Sequence, residues 1–223
     1  MDKESLIKNY NSVLEEIKKY DKNKNVRLLI ATKMQSNEDI NCLIESGALL
    51  IGENTVNELL EKYDGYDKRA EVHFIGTLQS NKVKYIVDKV SLIHSVYKDS
   101  QLEEIDKRAS KIGKVMDILI EVNSGKEENK GGVFPEDVAE FYEKAKKYSS
   151  VRVRGLMTMA PKCQSREEYL KYFGITKELF DKLFGNEENA ILSMGMSDSY
   201  TYAIEAGANL VRVGSKIFGE RKY

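Results

Sequence analysis

Three sets of residues have the types and spacing to do chemistry. Lys33 closes the apolar run Arg27-Leu28-Leu29-Ile30-Ala31-Thr32-Lys33, whose β-branched Ile30 and Thr32 favour a strand. A primary amine at the end of a buried strand is a nucleophile for a carbonyl compound. Arg212 interrupts Leu210-Val211-Arg212-Val213-Gly214, and a guanidinium inside such a run must face solvent or meet an acceptor. Gly214-Ser215 then leads into Lys216-Ile217-Phe218-Gly219, a glycine turn opening a short helix, where free amides and the positive end of a helix dipole suit a phosphate. Ser193-Met194-Gly195-Met196-Ser197 can add hydroxyls and amides, with Ser193, Met194 and Ser197 as the candidates. Each feature also has a plain structural reading. Lys33 could be a surface lysine, Arg212 an ion-pair partner of Glu53 or Glu205 across the fold, and the glycines ordinary turn residues.

The elements that must position these residues recur with a regular beat. Apolar runs lie at 27–33, 48–52, 72–75, 91–96, 115–122, 151–159, 190–194 and 210–213. Between them the stretches 37–46, 54–64, 79–88, 99–111, 135–148, 165–184 and 197–206 have helical period, with Ser36 or Asn37 capping the first. Eight such units predict an α/β fold, a (β/α)8 TIM barrel, with an open doubly wound sheet as the competing architecture. Residues 2–20 add an amphipathic N-terminal helix through Leu6, Ile7, Tyr10, Val13, Leu14 and Ile17. Gly47 and Gly207 suit the left-handed position that ends a helix, and Pro135 suits a first turn. No linker or composition break divides the chain, so residues 1–223 are expected to form one domain. In such a barrel the chemistry sits at the carboxyl ends of the strands, where Lys33 and Gly214 fall.

Bulk properties narrow the partners. The 35 basic and 36 acidic side chains leave a net charge of -1, with no basic stripe for nucleic acid and no polybasic anchor. No run approaches a membrane span, and the amino terminus lacks the apolar core of a signal peptide. Cys42 and Cys163 have no metal-ligand spacing, which points to inert thiols in a reducing cytoplasm. The histidines, His73 and His94, are too few to build a metal site.

An amine, a guanidinium beside it and a phosphate cradle together suit pyridoxal 5′-phosphate (PLP). PLP carries an aldehyde for the amine, a phosphate for the cradle and a ring nitrogen for a polar partner. A guanidinium nearby lowers the pKa of a desolvated lysine and frees its amine. An arginine cannot accept a proton from the ring, so it weakens the cofactor as an electron sink.

At this level of detail the chain resembles the YggS-like PLP homeostasis proteins, which share the barrel of alanine racemase. The motifs are Ala31-Thr32-Lys33, Ile51-Gly52-Glu53-Asn54, His73 to Lys82, Arg154-Gly155-Leu156-Met157-Thr158-Met159, Leu192 to Asp198 and Val211 to Gly219. The resemblance implies that Lys33 holds PLP as an internal aldimine, a Schiff base, and that Arg212 faces the pyridine nitrogen. It implies that Ser193, Gly214 and Ser215 serve the phosphate and that Asn54 borders the cofactor. Thr77 stands where many members have proline and Thr55 where many have an aromatic, and residues 125–132 are richer in charge and glycine than is usual. His73 reads as a satisfied core or rim histidine and Lys82 as part of a solvated helix opening.

The expected function is a non-catalytic PLP binder that stores, buffers or delivers the cofactor, with PLP-dependent apo-enzymes as partners and a monomeric, cytoplasmic state. An amino-acid racemase on the same barrel is the alternative. It needs a proton acceptor on each face of the substrate Cα, and the sequence nominates only Lys33. The chain is also expected to end with the barrel, without the added β-domain of alanine racemase. A cofactor-free barrel enzyme acting on a phosphorylated metabolite is the third reading.

Overall fold

Leu, Ile and Val dominate the eight runs because each strand is covered twice, by helices outside and by the opposite wall inside. In the computed structural model, which describes residues 2–219, the strands β1 (Arg27–Ala31), β2 (Leu50–Glu53), β3 (Glu71–Phe74), β4 (Leu92–Val96), β5 (Met116–Val122), β6 (Val151–Thr158), β7 (Ile191–Ser193) and β8 (Leu210–Val213) form a closed parallel barrel in sequence order. β8 pairs with β1 through Arg27↔Leu210 to Ile30↔Val213. That closure excludes the open doubly wound sheet.

Outside the barrel lie α1 (Lys3–Tyr20), α2 (Asn37–Glu45), α3 (Val56–Lys62), α4 (Asp99–Lys111), α5 (Val138–Ala145), α6 (Arg166–Phe184), α7 (Tyr200–Glu205) and α8 (Ser215–Phe218). Ser36 caps α2 by accepting from the Asp39 amide, as its residue type predicts. Gly47 and Gly207 take φ of +101° and +100° just past α2 and α7.

Three expected helices are revised. The stretch 79–88 contains only a 3-10 segment, Ser80–Tyr85, and the residues it buries, Val83, Ile86 and Val87, are a β-branched set that loses rotamer freedom in a helix. The stretch 135–148 begins as a 3-10 turn at Pro135–Asp137 and is α-helical only over α5. The helix expected at 197–206 starts at Tyr200, because residues 197–199 form a turn.

The main core lies between the outer barrel wall and the helices. Inside the barrel, Leu29, Leu50, Ile75 and Leu210 pack together, as do Leu92, Leu119 and Met157. The N-terminal helix α1 buries Leu6, Tyr10, Val13 and Ile17, a spacing of three and four that puts them on one stripe. Its polar edge reaches α7 and α8. Asn9 Nδ2 donates to the Ile217 carbonyl at 3.0 Å, and Glu16 accepts from Tyr200 Oη at 2.5 Å and Lys216 Nζ at 2.9 Å. This helix therefore clasps α8, the element that follows Gly214. Among the described residues no helix is long and apolar enough to cross a membrane.

Candidate functional site

Side chains alternate along a strand, so the inward set of β1 is Leu29 and Ala31, and Lys33 follows on the same side. Both residues belong to the interior cluster. The strand itself ends at Ala31, two residues short of the sequence reading, although the Thr32 amide still donates to the Gly52 carbonyl at 3.0 Å. Lys33 is half-buried at the mouth, and among the described residues its amine has no hydrogen bond or ion pair. Arg212 sits opposite Leu29 and Val213 opposite Ile30, so β8 delivers its arginine and its glycine turn directly beside β1. Lys33 stands two residues past the end of the strand, in the turn that follows it.

Arg212 is buried, and it does not make either expected ion pair. Glu53 accepts from Lys62 Nζ at 2.8 Å, and Glu205 pairs with Arg166. Both carboxylates lie outside the barrel wall, whereas Arg212 shares the inward parity of Leu210. Its Nη1 donates to Ser193 Oγ at 2.5 Å and to the Ser193 carbonyl at 3.0 Å, and Nη2 donates to the Thr158 carbonyl at 3.1 Å. A guanidinium has five N–H donors, so two remain for whatever lies at the mouth. Burial pulls its pKa down to about 10, opposed by Glu121, and it stays cationic at neutral pH.

Two members of the expected phosphate set are placed differently. Ser193 is fully buried and bonded to Arg212 and to His94, so it braces the guanidinium. Met194 has its side chain in the main core and its amide spent on the Leu210 carbonyl at 3.1 Å, because its parity on the chain points it outward. The others converge. Ser197 Oγ accepts from the amides of Gly214 at 3.3 Å and Lys216 at 3.4 Å. A Cβ on Gly214 would stand 3.0 Å from the Ala31 carbonyl, which shows how tightly this turn abuts the strand carrying Lys33. Among the described residues, the amides of Gly195 and Ser215 have no protein acceptor.

A cavity of about 430 Å³ opens beside Arg212, between the loop after β6 (Thr158, Met159, Pro161) and the loop after β7 (Gly195, Met196, Ser199); Lys33, Asn54, Gly214 and Ser215 do not line it. A half-buried amine, a guanidinium with donors to spare and unpaired amides fit an aldehyde, a pyridine nitrogen and a phosphate respectively. Asn54 continues the inward parity of Leu50 and Gly52, and it is half-buried at the mouth.

Behind Lys33, on the outside of the wall, Glu53 Oε1 accepts from Thr32 Oγ1 at 2.5 Å, Tyr66 Oη at 2.5 Å and Lys62 Nζ. Lys62 Nζ also donates to the Thr32 carbonyl at 3.0 Å. Burial next to Glu53 pushes the Tyr66 phenol far up, so it stays a donor. This brace fixes the residue that precedes the lysine.

Glu121 was not picked out from the sequence, yet a signal like that of Arg212 was there: a charge enclosed by apolar neighbours in Ile118-Leu119-Ile120-Glu121-Val122. It pairs in register with Met157, and Met157 with Ser193, which puts it on the inner wall. Burial pushes its carboxyl up to about 7, opposed by Arg212. The folded state therefore binds more protons than the unfolded chain between about pH 4.3 and 7, and this group's contribution to stability falls as pH rises through that window. Replacing it, Glu121→Gln, is expected to remove that slope and raise stability at pH 8 by about 1–3 kcal/mol. Urea melts across the pH range read this directly, and an unaltered slope would place the titration elsewhere.

The chain matches the family model described as the alanine racemase N-terminal domain over residues 2–222. It is 46% identical over 200 residues to the pyridoxal phosphate homeostasis protein of Aquifex aeolicus, covering 88% of each. PipY of Synechococcus elongatus, solved with PLP bound, superposes with a TM-score of 0.82 at 26% identity, covering 96% of this chain and 100% of that one. An alanine racemase from Clostridium difficile shares the barrel alone, with a TM-score of 0.77 at 18% identity over 97% of this chain and 57% of its own. On this fold, these motifs and these matches, the chain belongs to the family of YggS-like pyridoxal phosphate homeostasis proteins, built on the alanine racemase N-terminal barrel.

Proposed function

We propose that this protein binds PLP at the carboxyl end of the barrel and holds it for intracellular vitamin B6 homeostasis, without turning over a substrate. The observation that carries the reading is the β8–β1 pairing, which sets Arg212 and the Gly214 turn beside the strand whose following turn carries Lys33. PLP supplies an aldehyde that a lysine amine captures reversibly. In this reading Lys33 holds that carbon covalently, Arg212 donates to the pyridine nitrogen, and the amides of Gly195 and Ser215 take the phosphate against the Gly214 turn, with Asn54 at the rim. Arg212 cannot take up a proton from the ring, so negative charge at a substrate Cα gains little stabilisation here. That property supports storage and delivery, to PLP-dependent apo-enzymes, over racemisation. The free thiols of Cys42 and Cys163 support a reducing, cytoplasmic setting, and we take the working unit to be a monomer formed by a single domain.

The direct test is uptake of PLP by the purified protein with a visible absorbance band, followed by borohydride reduction and mass mapping of the labelled peptide. A label on Lys33 is the expected result. A colourless protein that takes up no aldehyde defeats the reading and returns the phosphate cradle to the cofactor-free alternative.

One observation favours a second activity. Glu121 is buried on the inner wall, in register with Met157 and near enough to Arg212 to feel its charge, and burial raises its carboxyl into the range where it can exchange a proton at neutral pH. Exchange of Cα deuterium or formation of D-product from L-amino acids, abolished in Glu121→Gln, would assign it.

The glycine loop carries its own prediction. Gly195 has φ of +86°, and a Cβ there would stand 2.6 Å from Ala203 Cβ and 2.8 Å from Tyr200 Cα. Gly195→Ala is expected to weaken PLP binding by about tenfold, through roughly 1–3 kcal/mol of backbone strain in the phosphate loop, while borohydride still labels Lys33. Titration of PLP absorbance measures it, and unchanged affinity would separate this loop from the phosphate.

A further inference from the structure

The interior of the barrel holds a polar layer that the proposed PLP site does not use. His73 and His94 are both buried, on the inward side of β3 and β4. They join a continuous chain. His73 Nε2 lies 2.9 Å from Glu71 Oε1, His73 Nδ1 2.9 Å from His94 Nε2, and His94 Nδ1 3.1 Å from Ser193 Oγ, which accepts from Arg212. Glu71 stands at the amino-terminal end of its strand, where Arg27 Nη2 at 2.8 Å and Ser91 Oγ at 3.0 Å also donate to it. The chain therefore runs from one end of the barrel to the other.

Its polarity follows from the end groups. Arginine can only donate, so Ser193 Oγ accepts from it, and because Glu71 at the other end can only accept, two neutral rings in series leave His94 Nδ1 as the acceptor of the Ser193 proton. His94 then carries its proton on Nε2 and donates to His73 Nδ1. His73 likewise carries its proton on Nε2 and donates to Glu71, a carboxylate that can only accept. The reverse direction would leave the Ser193 proton without an acceptor and require a protonated Glu71. The charges along the path agree. Hydrogen bonds from His73 and Ser91 and the charge of Arg27 hold the Glu71 carboxyl down to about 2, and burial keeps both imidazoles below their ordinary range, His94 further by the nearby cations Arg212 and Arg27. The other charged groups facing the layer are Asp117 and Glu121 on β5. Aliphatic side chains would fill this layer without needing every partner satisfied, so the chain makes physical sense by what it ends on.

We propose that Glu71, His73 and His94 are positioning residues for Arg212: a one-directional chain of hydrogen bonds, anchored on a carboxylate at the far end of the barrel, fixes the guanidinium as a donor toward the ring nitrogen of the bound cofactor. The chain is a feature of the folded protein, and its role toward the cofactor rests on the PLP reading above.

The test has two arms. In ¹⁵N-histidine NMR of the cofactor-free protein, both rings are expected as neutral Nε2–H tautomers that do not titrate near pH 6.5, where a free imidazole does. An Nδ1–H tautomer or an imidazolium at either ring overturns the assigned polarity. In the second arm, His94→Leu is expected to weaken PLP binding about tenfold, shift the absorbance band and speed solvent exchange of the Arg212 guanidinium protons, with Lys33 still labelled by borohydride. His94→Gln, which can accept from Ser193 and donate to His73, is expected to recover most of the loss. If His94→Leu fails to fold, His73→Asn keeps an acceptor for His94, removes the link to Glu71 and is expected to give a smaller shift of the same sign. Wild-type affinity, band and exchange in these variants overturn the proposal. If the wild-type protein itself binds no PLP, the functional reading fails, and the tautomers and guanidinium exchange still decide whether the chain positions Arg212.

Discussion

Lys33→Ala is expected to abolish the visible absorbance of the PLP-loaded protein and to weaken binding by about 100-fold or more, the equivalent of roughly 3 kcal/mol. The expectation rests on position. Lys33 continues the inward side of Leu29 and Ala31, lies half-buried at the mouth, and among the described residues gives its amine to no acceptor. The fold should survive, because the brace behind it runs through the Thr32 hydroxyl and carbonyl, Glu53, Tyr66 and Lys62, none of which uses the lysine side chain. Residual binding is expected from the amides around Gly214 and from Arg212. Absorbance titration with thermal melting as the fold control measures both quantities. A variant that keeps the band would move the covalent linkage to another lysine.

Arg212→Glu carries the second large effect, and it acts on stability and spectrum together. The wild-type guanidinium satisfies the Ser193 and Thr158 carbonyls and the Ser193 hydroxyl. A carboxylate there can donate to none of them, and it would stand near the inward Glu121. Breaking a buried charged group out of its network costs about 3–5 kcal/mol, which denaturant melts would register. Loss of the donor toward the ring nitrogen is expected to shift the absorbance band and to increase side reactions with added amino acids. The control is Arg212→Gln, which keeps a donor without the charge. Its stability loss should be smaller, which separates the charge from the hydrogen bonds. An unchanged band in both variants would leave Arg212 a purely structural residue.

Much of this site was legible in the linear chain. Arg212 was visible because it is one cation in an apolar strand, and Lys33 because the first apolar run stops on it. The glycine turn after the last strand was visible because turns into helices have few residue choices. The extra N-terminal helix was legible from its three and four spacing. Ser193 and Met194 were not separable in sequence, since both sit in one loop-like motif. Strand parity decides between them, sending Ser193 inward to Arg212 and Met194 outward to the core.

The sequence by itself determined the alternation of eight strands with helices, and singled out the amine after the first strand and the guanidinium inside the last, because those follow from local periodicity and from the cost of burying charge; that the sheet closes was decided by the pairing of the last strand with the first. The tertiary structure alone decided that Glu53 turns away to Lys62, that the stretch after the third strand tightens into a 3-10 segment, and that His73, His94 and Ser193 line up between Glu71 and Arg212. Those residues are up to 99 positions apart in pairs that touch. Their meeting depends on which face of each strand points inward once the barrel shuts, a property of the closed register that no single segment contains.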